Sequence, residues 1–190
     1  MKLTERSGIR QVAAAVSGAL ANANIRAVLT GGGCASIYTD GLYKSVDLDY
    51  VLQSAVTQSR LDEAMATAGF ERRANQYFHP RAPLYVEFPP GPLGIGRDHQ
   101  IVPIELKIGD SVVVALSSTD SCRDRLAAFL HWRDQQNLKT AVDIALRNEV
   151  DLPGIRSWCA SEGVPQGFDE FIRNLEIARS RRKKKPPRKR

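Results

Sequence analysis

Three short stretches carry residues whose types and spacing can do chemistry: TGGGCAS (30–36), VDLDYVL (46–52) and LYVEF (84–88). In a strand, side chains alternate between faces. Val46, Leu48, Tyr50 and Leu52 are therefore expected to point into a core while Asp47 and Asp49 project together from the other side. Two carboxylates held side by side repel, and a strand gains nothing from presenting them unless a cation compensates. A hard divalent ion such as Mg²⁺ or Mn²⁺, which also takes phosphate oxygens, is the natural compensator; a solvated strand face is the plain alternative. Glu87 sits in the same way between Val86 and Phe88. It either completes a three-carboxylate cluster or belongs to a cross-strand ion pair at the rim.

The glycines come directly after a short apolar strand, Ala27 to Leu29, and before a segment able to form two turns of helix, ended by Asp40 and Gly41. Gly31 to Gly33 thus offer unhindered backbone N–H groups where a helix dipole favours anions, a place for a phosphate. The run is neither GxGxxG nor the GxxxxGK of a P-loop, so those two nucleotide-binding modes are excluded on the residues. Two metal-binding acids with a third acid beside them fit phosphoryl or nucleotidyl transfer. The metal neutralises the phosphates and an acid helps to deprotonate the attacking hydroxyl.

The elements that must position these residues are legible from periodicity. Ile9, Val12, Ala13, Val16, Ala19 and Leu20 mark one face of a helix over about residues 4–22. LDEAMATAGF reads as a helix closed by Gly69, PLYVEF and IVPIELKI as strands, and SVVVAL as a strand entered through the turn Gly109-Asp110. From Thr119 or Asp120, with Ser117 to Thr119 supplying cap residues, a helix follows with Cys122, Leu126, Phe129 and Leu130 on its apolar face. A second carries Leu138, Ala141, Val142, Ala145 and Leu146. Two more are expected around Ile155–Ser161 and Phe168–Ala178. Trp132 ends the first of these helices as packing plus surface charge, and Trp158 belongs to the core. The fold class is therefore α/β (α+β): a front of residues 1–117, a helical region 118–180, and a basic tail 181–190 expected to be disordered.

In combination these features resemble the nucleotidyltransferase superfamily of DNA polymerase beta: strand, Gly-Gly, short helix, a strand bearing DxD, then a later strand bearing a third acid. The resemblance covers about residues 26–90. It implies that Gly31 and Gly32 face the nucleotide's phosphates, that Asp47 and Asp49 bind Mg²⁺, and that Glu87 is the third acid. Ser45 matches a Ser or Thr found two residues before the first acid in minimal nucleotidyltransferases and in nucleotidyltransferase-like toxins of abortive-infection systems. Many relatives carry an Arg two residues earlier still. This chain has Tyr43 there, followed by Lys44, so the basic contact is either displaced or absent. More loosely, TDSCRDRLAAFLHWRDQQNLKTAVDIA resembles the helical region after the catalytic domain in such proteins, where Arg125 or Lys139 is expected to reach a triphosphate. The implied reaction moves an NMP from an NTP to a hydroxyl on RNA, such as tRNA, or on protein. A toxin role with an antitoxin-like partner is one version of it, and a non-catalytic nucleotide- or RNA-binding protein that retains the fold is the alternative.

Bulk properties bound the rest. The chain has 190 residues, enough for one domain or one domain with an appendage, and a net charge of +6. Eight of its 27 basic residues lie in RRKKKPPRKR, so residues 1–180 carry −2 without it. The basicity belongs to the tail, which either binds RNA in a salt-dependent way or only keeps the protein soluble. No apolar run approaches the roughly 18 residues of a membrane span and the N-terminus lacks a secretory core, so no membrane partner and a cytoplasmic location are expected. Cys34, Cys122 and Cys159 are too widely spaced for a zinc site and read as small core residues of a reducing compartment. His79, His99 and His131 show no ligand spacing, although His79 and His99 lie near Glu87 in sequence. No GxSxG or Cys-His arrangement supports a hydrolase nucleophile.

Overall fold

A computed structural model describes residues 3–184, within which there are seven helices and seven strands. Helix α1, Ile9–Asn22, begins later than its apolar periodicity suggests. Ser7 Oγ accepts from the Thr4 amide at 2.9 Å and the Ser7 amide donates to the Thr4 carbonyl at 2.9 Å, so hydroxyl side chains fix a turn there instead of a helix. Gly8 then stands at the N-cap, with Gln11 Oε1 accepting from its amide.

Strand β1, Ala27–Thr30, runs without a break into α2, Gly31–Tyr38, so the glycines form the first turn of the helix and do not precede it. Strand β2, Asp47–Leu52, returns antiparallel to β1. Leu48 and Tyr50 are fully buried, as the alternation requires, and the Tyr50 hydroxyl donates to Ala13 and bonds Ser17 on α1. Val46 departs from expectation. It lies outside the strand and is 63% exposed, because the ordered pairing of β2 begins only at Asp47.

Helix α3, Gln58–Thr67, is capped by Thr57 and ends at Gly69 with φ +82, in line with the sequence. Strands β3, Glu71–Arg73, β4, Gln76–Phe78, and β5, Tyr85–Glu87, form an antiparallel run that meets β2 through a parallel pairing. Strands β6, Ile104–Ile108, and β7, Ser111–Ala115, make a hairpin through Gly109, and β7 joins β1 in parallel. The mixed sheet has the order β3-β4-β5-β2-β1-β7-β6. Its centre, β5-β2-β1, is where the carboxylates and glycines lie.

The back end is helical: α4, Ser118–Trp132, α5, Gln135–Ala145, α6, Leu152–Ser161, and α7, Pro165–Lys184. The cap of α4 is Ser117, whose Oγ accepts from the Asp120 amide at 3.0 Å, not Thr119 or Asp120. Phe129, Ile144, Ile155 and Phe171 belong to the same core as Leu29, Leu48 and Leu116, so the helices are packed onto the sheet and not strung beyond it. Trp158 is core as expected and donates through Nε1 to the Ile95 carbonyl, which pins the Pro/Gly-rich loop. Trp132 is 82% exposed, so it does not pack. Helix α7 continues to Lys184, into the segment expected to be disordered, where Arg182 donates to the last turn of α5 at the Leu146 carbonyl. Residues 185–190 of that tail lie outside the described residues. All three cysteines are buried and free, and burial pushes the Cys34 thiol up to about 12, which keeps it a packing group.

Candidate functional site

The parallel register of β2 and β5 decides the site. Asp49 stands directly opposite Glu87, and Asp47 opposite Tyr85, so all four side chains leave the same face of the sheet. Asp47, Asp49 and Glu87 each offer one carboxylate oxygen, and these oxygens lie within 4.8 Å of one another. Asp47 is oriented from both sides: Ser45 Oγ donates to Oδ1 at 2.7 Å and the Tyr85 hydroxyl to Oδ2 at 3.3 Å. The Gln76 amide on β4 donates to Glu87 Oε1, which leaves Oε2 for other work. Among the described residues no hydrogen bond reaches the carboxylate of Asp49. Burial, then Asp47 and Glu87, push its pKa up to about 6 against the pull of Arg125, with Asp124 adding to the rise.

The glycines serve this cluster sterically. Gly31 has φ +63, and a Cβ there would come 2.1 Å from Asp49 Oδ2. A Cβ at Gly32 would meet Ser45 Oγ at 2.6 Å and the Tyr43 ring, and one at Gly33 would meet Leu48 at 2.7 Å. The left-handed φ at Gly31, and the Asp47 carbonyl 3.0 Å from a Cβ at Gly33, favour glycine at these two positions so that the start of α2 can lie against β2. The run therefore has a packing role that its anion-binding reading does not require. Among the described residues no side chain caps α2: Thr30 turns its hydroxyl to the Asp49 carbonyl, and the first N–H groups of the helix have no side-chain partner beside the carboxylates.

Of the basic residues singled out in the sequence, Arg125 alone is brought toward the cluster. It is largely buried on α4, gripped by Asp124 through Nε and Nη2 at 3.2 and 2.7 Å and by Asn137 through Nη1 at 3.0 Å. Burial works against its charge, but Asp124, with Tyr43 and Asp49 nearby, more than offsets it and holds the guanidinium protonated. Lys44 is exposed on the turn before Ser45. Lys139 pairs with Asp143 at 3.1 Å and lines a groove between α5 and α7 with Asn174 and Arg181. His79 packs against Phe70 with the rings tilted 56° to each other, His99 bonds the Leu93 carbonyl, and neither bonds a carboxylate of the cluster.

Four residues of the site were not singled out in the sequence. Tyr85 and Gln76 join it through strand register, and Asp124 and Asn137 through the α4–α5 packing. For Tyr85 a signal existed, since it has the parity of Glu87 in LYVEF.

Three hard oxygen donors converging on one point, one of them driven up in pKa by burial and then by the other two, form a donor set that fits Mg²⁺ or Mn²⁺ and disfavours softer metals. No helix among the described residues is long and apolar enough to cross a membrane.

The architecture is similar to two solved structures. One is an antigenic nucleotidyltransferase-like protein from Paracoccidioides brasiliensis, at 15% identity and a TM-score of 0.59, covering 95% of this chain and 92% of that one. The other is the antibiotic-resistance factor ANT(2'')-Ia, at 12% identity and a TM-score of 0.50, covering 88% and 89%. No protein-family model matches the sequence, and no curated protein matches it significantly. The chain thus shares with these two structures an α/β fold, a mixed sheet with flanking helices, which is the fold class expected from the sequence.

Proposed function

We propose that this protein is a Mg²⁺- or Mn²⁺-dependent nucleotidyltransferase that moves an NMP from an NTP to a hydroxyl acceptor on RNA, such as tRNA, or on protein. The observation that carries the reading is the convergence of Asp47, Asp49 and Glu87 within 4.8 Å on paired parallel strands beside the uncapped start of α2. Asp47, Asp49 and Glu87 would hold the divalent ion, which when bound neutralises charge on the phosphates.

The chain's own residues supply the rest. The first amides of α2, at Gly31 and Gly32, face phosphate oxygens with the helix dipole behind them. Ser45 and Tyr85 fix the two oxygens of Asp47, and Gln76 fixes one of Glu87. Glu87 Oε2 takes the proton of the acceptor hydroxyl as that oxygen bonds to the α-phosphorus, and the bond to pyrophosphate breaks. Arg125, already charged and held in place, offers its remaining N–H groups to the triphosphate. Lys44, exposed before Ser45, and Lys139, in the groove between α5 and α7, meet a longer acceptor.

A second reading, a non-catalytic nucleotide- or RNA-binding protein, is favoured by one observation: Arg125 is already engaged on three nitrogens, which leaves it fewer N–H groups for a triphosphate. Transfer of α-phosphate label from each NTP, with Mg²⁺ or Mn²⁺, onto total RNA and onto the protein itself separates the two. Label is expected with wild type and absent from Asp47→Ala and Asp49→Ala; label that persists in both variants contradicts the enzyme. If tRNA is the acceptor, capping its hydroxyl stops charging, which would make the protein a toxin with an antitoxin-like counterpart. Growth arrest on expression that is lost in Asp47→Ala tests that extension.

A further inference from the structure

Outward from the carboxylates, the same sheet face continues as two rows set by register. Asp47 stands opposite Tyr85, and Tyr85 opposite Phe78; one pleat along, Glu87 stands opposite Gln76, and Gln76 opposite Arg73. The reverse face of these strands, Leu48, Val86 and Tyr77, is buried, while Phe78 and Tyr85 are only partly covered and Arg73 is exposed. The Phe78 and Tyr85 rings lie 5.6 Å apart with their planes 35° from each other, and the Arg73 guanidinium sits 5.6 Å from the Phe78 centroid. Arg73 has no carboxylate partner among the described residues, unlike Arg72 on the reverse face, which is paired with Asp62. Gln76 spends its amide N–H on Glu87 and keeps its carbonyl oxygen free to accept.

We infer that this face is the acceptor platform and that its occupant is the end of a single-stranded RNA. Planar rings partly open to solvent, a guanidinium without a carboxylate partner among the described residues and a free amide acceptor are the combination that holds unpaired nucleotides: bases stack on the rings, a cation meets the phosphate, and the amide meets a base or sugar edge. Tyr85 lies two residues from Glu87 on β5, about 7 Å along the strand, and Phe78 lies on the adjacent β4, about 4.8 Å across, so a base on these rings leaves its ribose within reach of Glu87. Continuity with the carboxylates distinguishes this face from the basic C-terminal segment, which contributes charge but no stacking surface. The inference rests on the nucleotidyl-transfer reading for the identity of the reaction, not for the binding itself.

The test uses the full chain and short fluorescein-labelled single-stranded oligoribonucleotides, titrated over a series of salt concentrations. Phe78→Ala is expected to weaken binding about tenfold, most visibly at high salt where the basic segment is screened. Phe78→Leu, which keeps the apolar volume, should behave like the Ala variant, and Phe78→Tyr should bind like wild type. Tyr85→Phe keeps the ring and should retain the affinity, while Arg73→Ala should lower the slope of log K against log salt by about 0.7. Affinity unchanged in Phe78→Ala and Phe78→Leu overturns the platform, as does label that enters a protein hydroxyl and no RNA. If wild type transfers no NMP yet RNA affinity tracks Phe78, the platform stands and the reaction falls. If label enters RNA with a KM independent of Phe78, the reaction stands and the platform falls.

Discussion

Asp49→Asn is expected to make the metal-free protein more stable while destroying its site. The Asp49 pKa moves from its usual 3.8 to about 6, with burial the first cause and Asp47 and Glu87 next. Taken at face value that displacement is about 3 kcal/mol, and partial exposure of the side chain reduces it to about 1–2 kcal/mol. Because the folded chain holds this proton more tightly than the unfolded chain, stability declines as pH rises from about 4 through about 6 and then levels off. Removing the charge should therefore raise the melting temperature at pH 7.5 by about 2–6 °C in a chain of this size, and by almost nothing near pH 4. The assay is thermal unfolding across that pH range with EDTA present, then with excess Mg²⁺, which should stabilise wild type and leave the variant unmoved. A variant that melts below wild type at pH 7.5, or a difference that is the same at pH 4 and pH 7.5, refutes the reasoning.

Three further outcomes follow from the same geometry. Gly31→Ala puts a methyl 2.1 Å from Asp49 Oδ2 at a left-handed φ. It should cost about 1–3 kcal/mol in urea unfolding and remove transfer, and a variant with unchanged midpoint and activity contradicts the packing role. Gln76→Ala frees Glu87 Oε1 and should lower kcat about tenfold with KM for NTP near wild type; a change confined to KM would place Gln76 in substrate binding instead. Arg125→Lys cannot span Asp124 and Asn137 as the guanidinium does, so NTP affinity by calorimetry should fall about tenfold or more, and an unchanged affinity removes Arg125 from the phosphate site.

The centre of the site was legible because strand alternation is a local property. Asp47, Asp49 and Glu87 each sit between apolar neighbours, and period two alone puts them on one side of their strands. What the sequence could not show is which strands become neighbours. The pairing of β2 with β5, which sets Asp49 opposite Glu87 and adds Tyr85 and Gln76, depends on contacts nearly forty residues apart. The glycines were read for what they offer a phosphate, whereas their spacing to Asp49, Ser45 and Leu48 is a tertiary fact. Periodicity located every helix of the back end but not its limits: Ser117 takes the cap of α4 by side-chain bonding, and α7 runs on to Lys184, with Arg182 donating to the Leu146 carbonyl at the C-cap of α5. Val46 and Trp132 show the converse error, an apolar residue assumed to pack where the chain leaves its element.

The most direct measurement is Mn²⁺ binding, followed by electron paramagnetic resonance, with an NTP analogue whose α–β bridge cannot be cleaved. Wild type should bind the ion in a saturable way, with affinity reduced about tenfold or more in Asp47→Asn and in Glu87→Gln. Equal Mn²⁺ affinity in wild type and both variants would contradict the claim that these three carboxylates form one metal site.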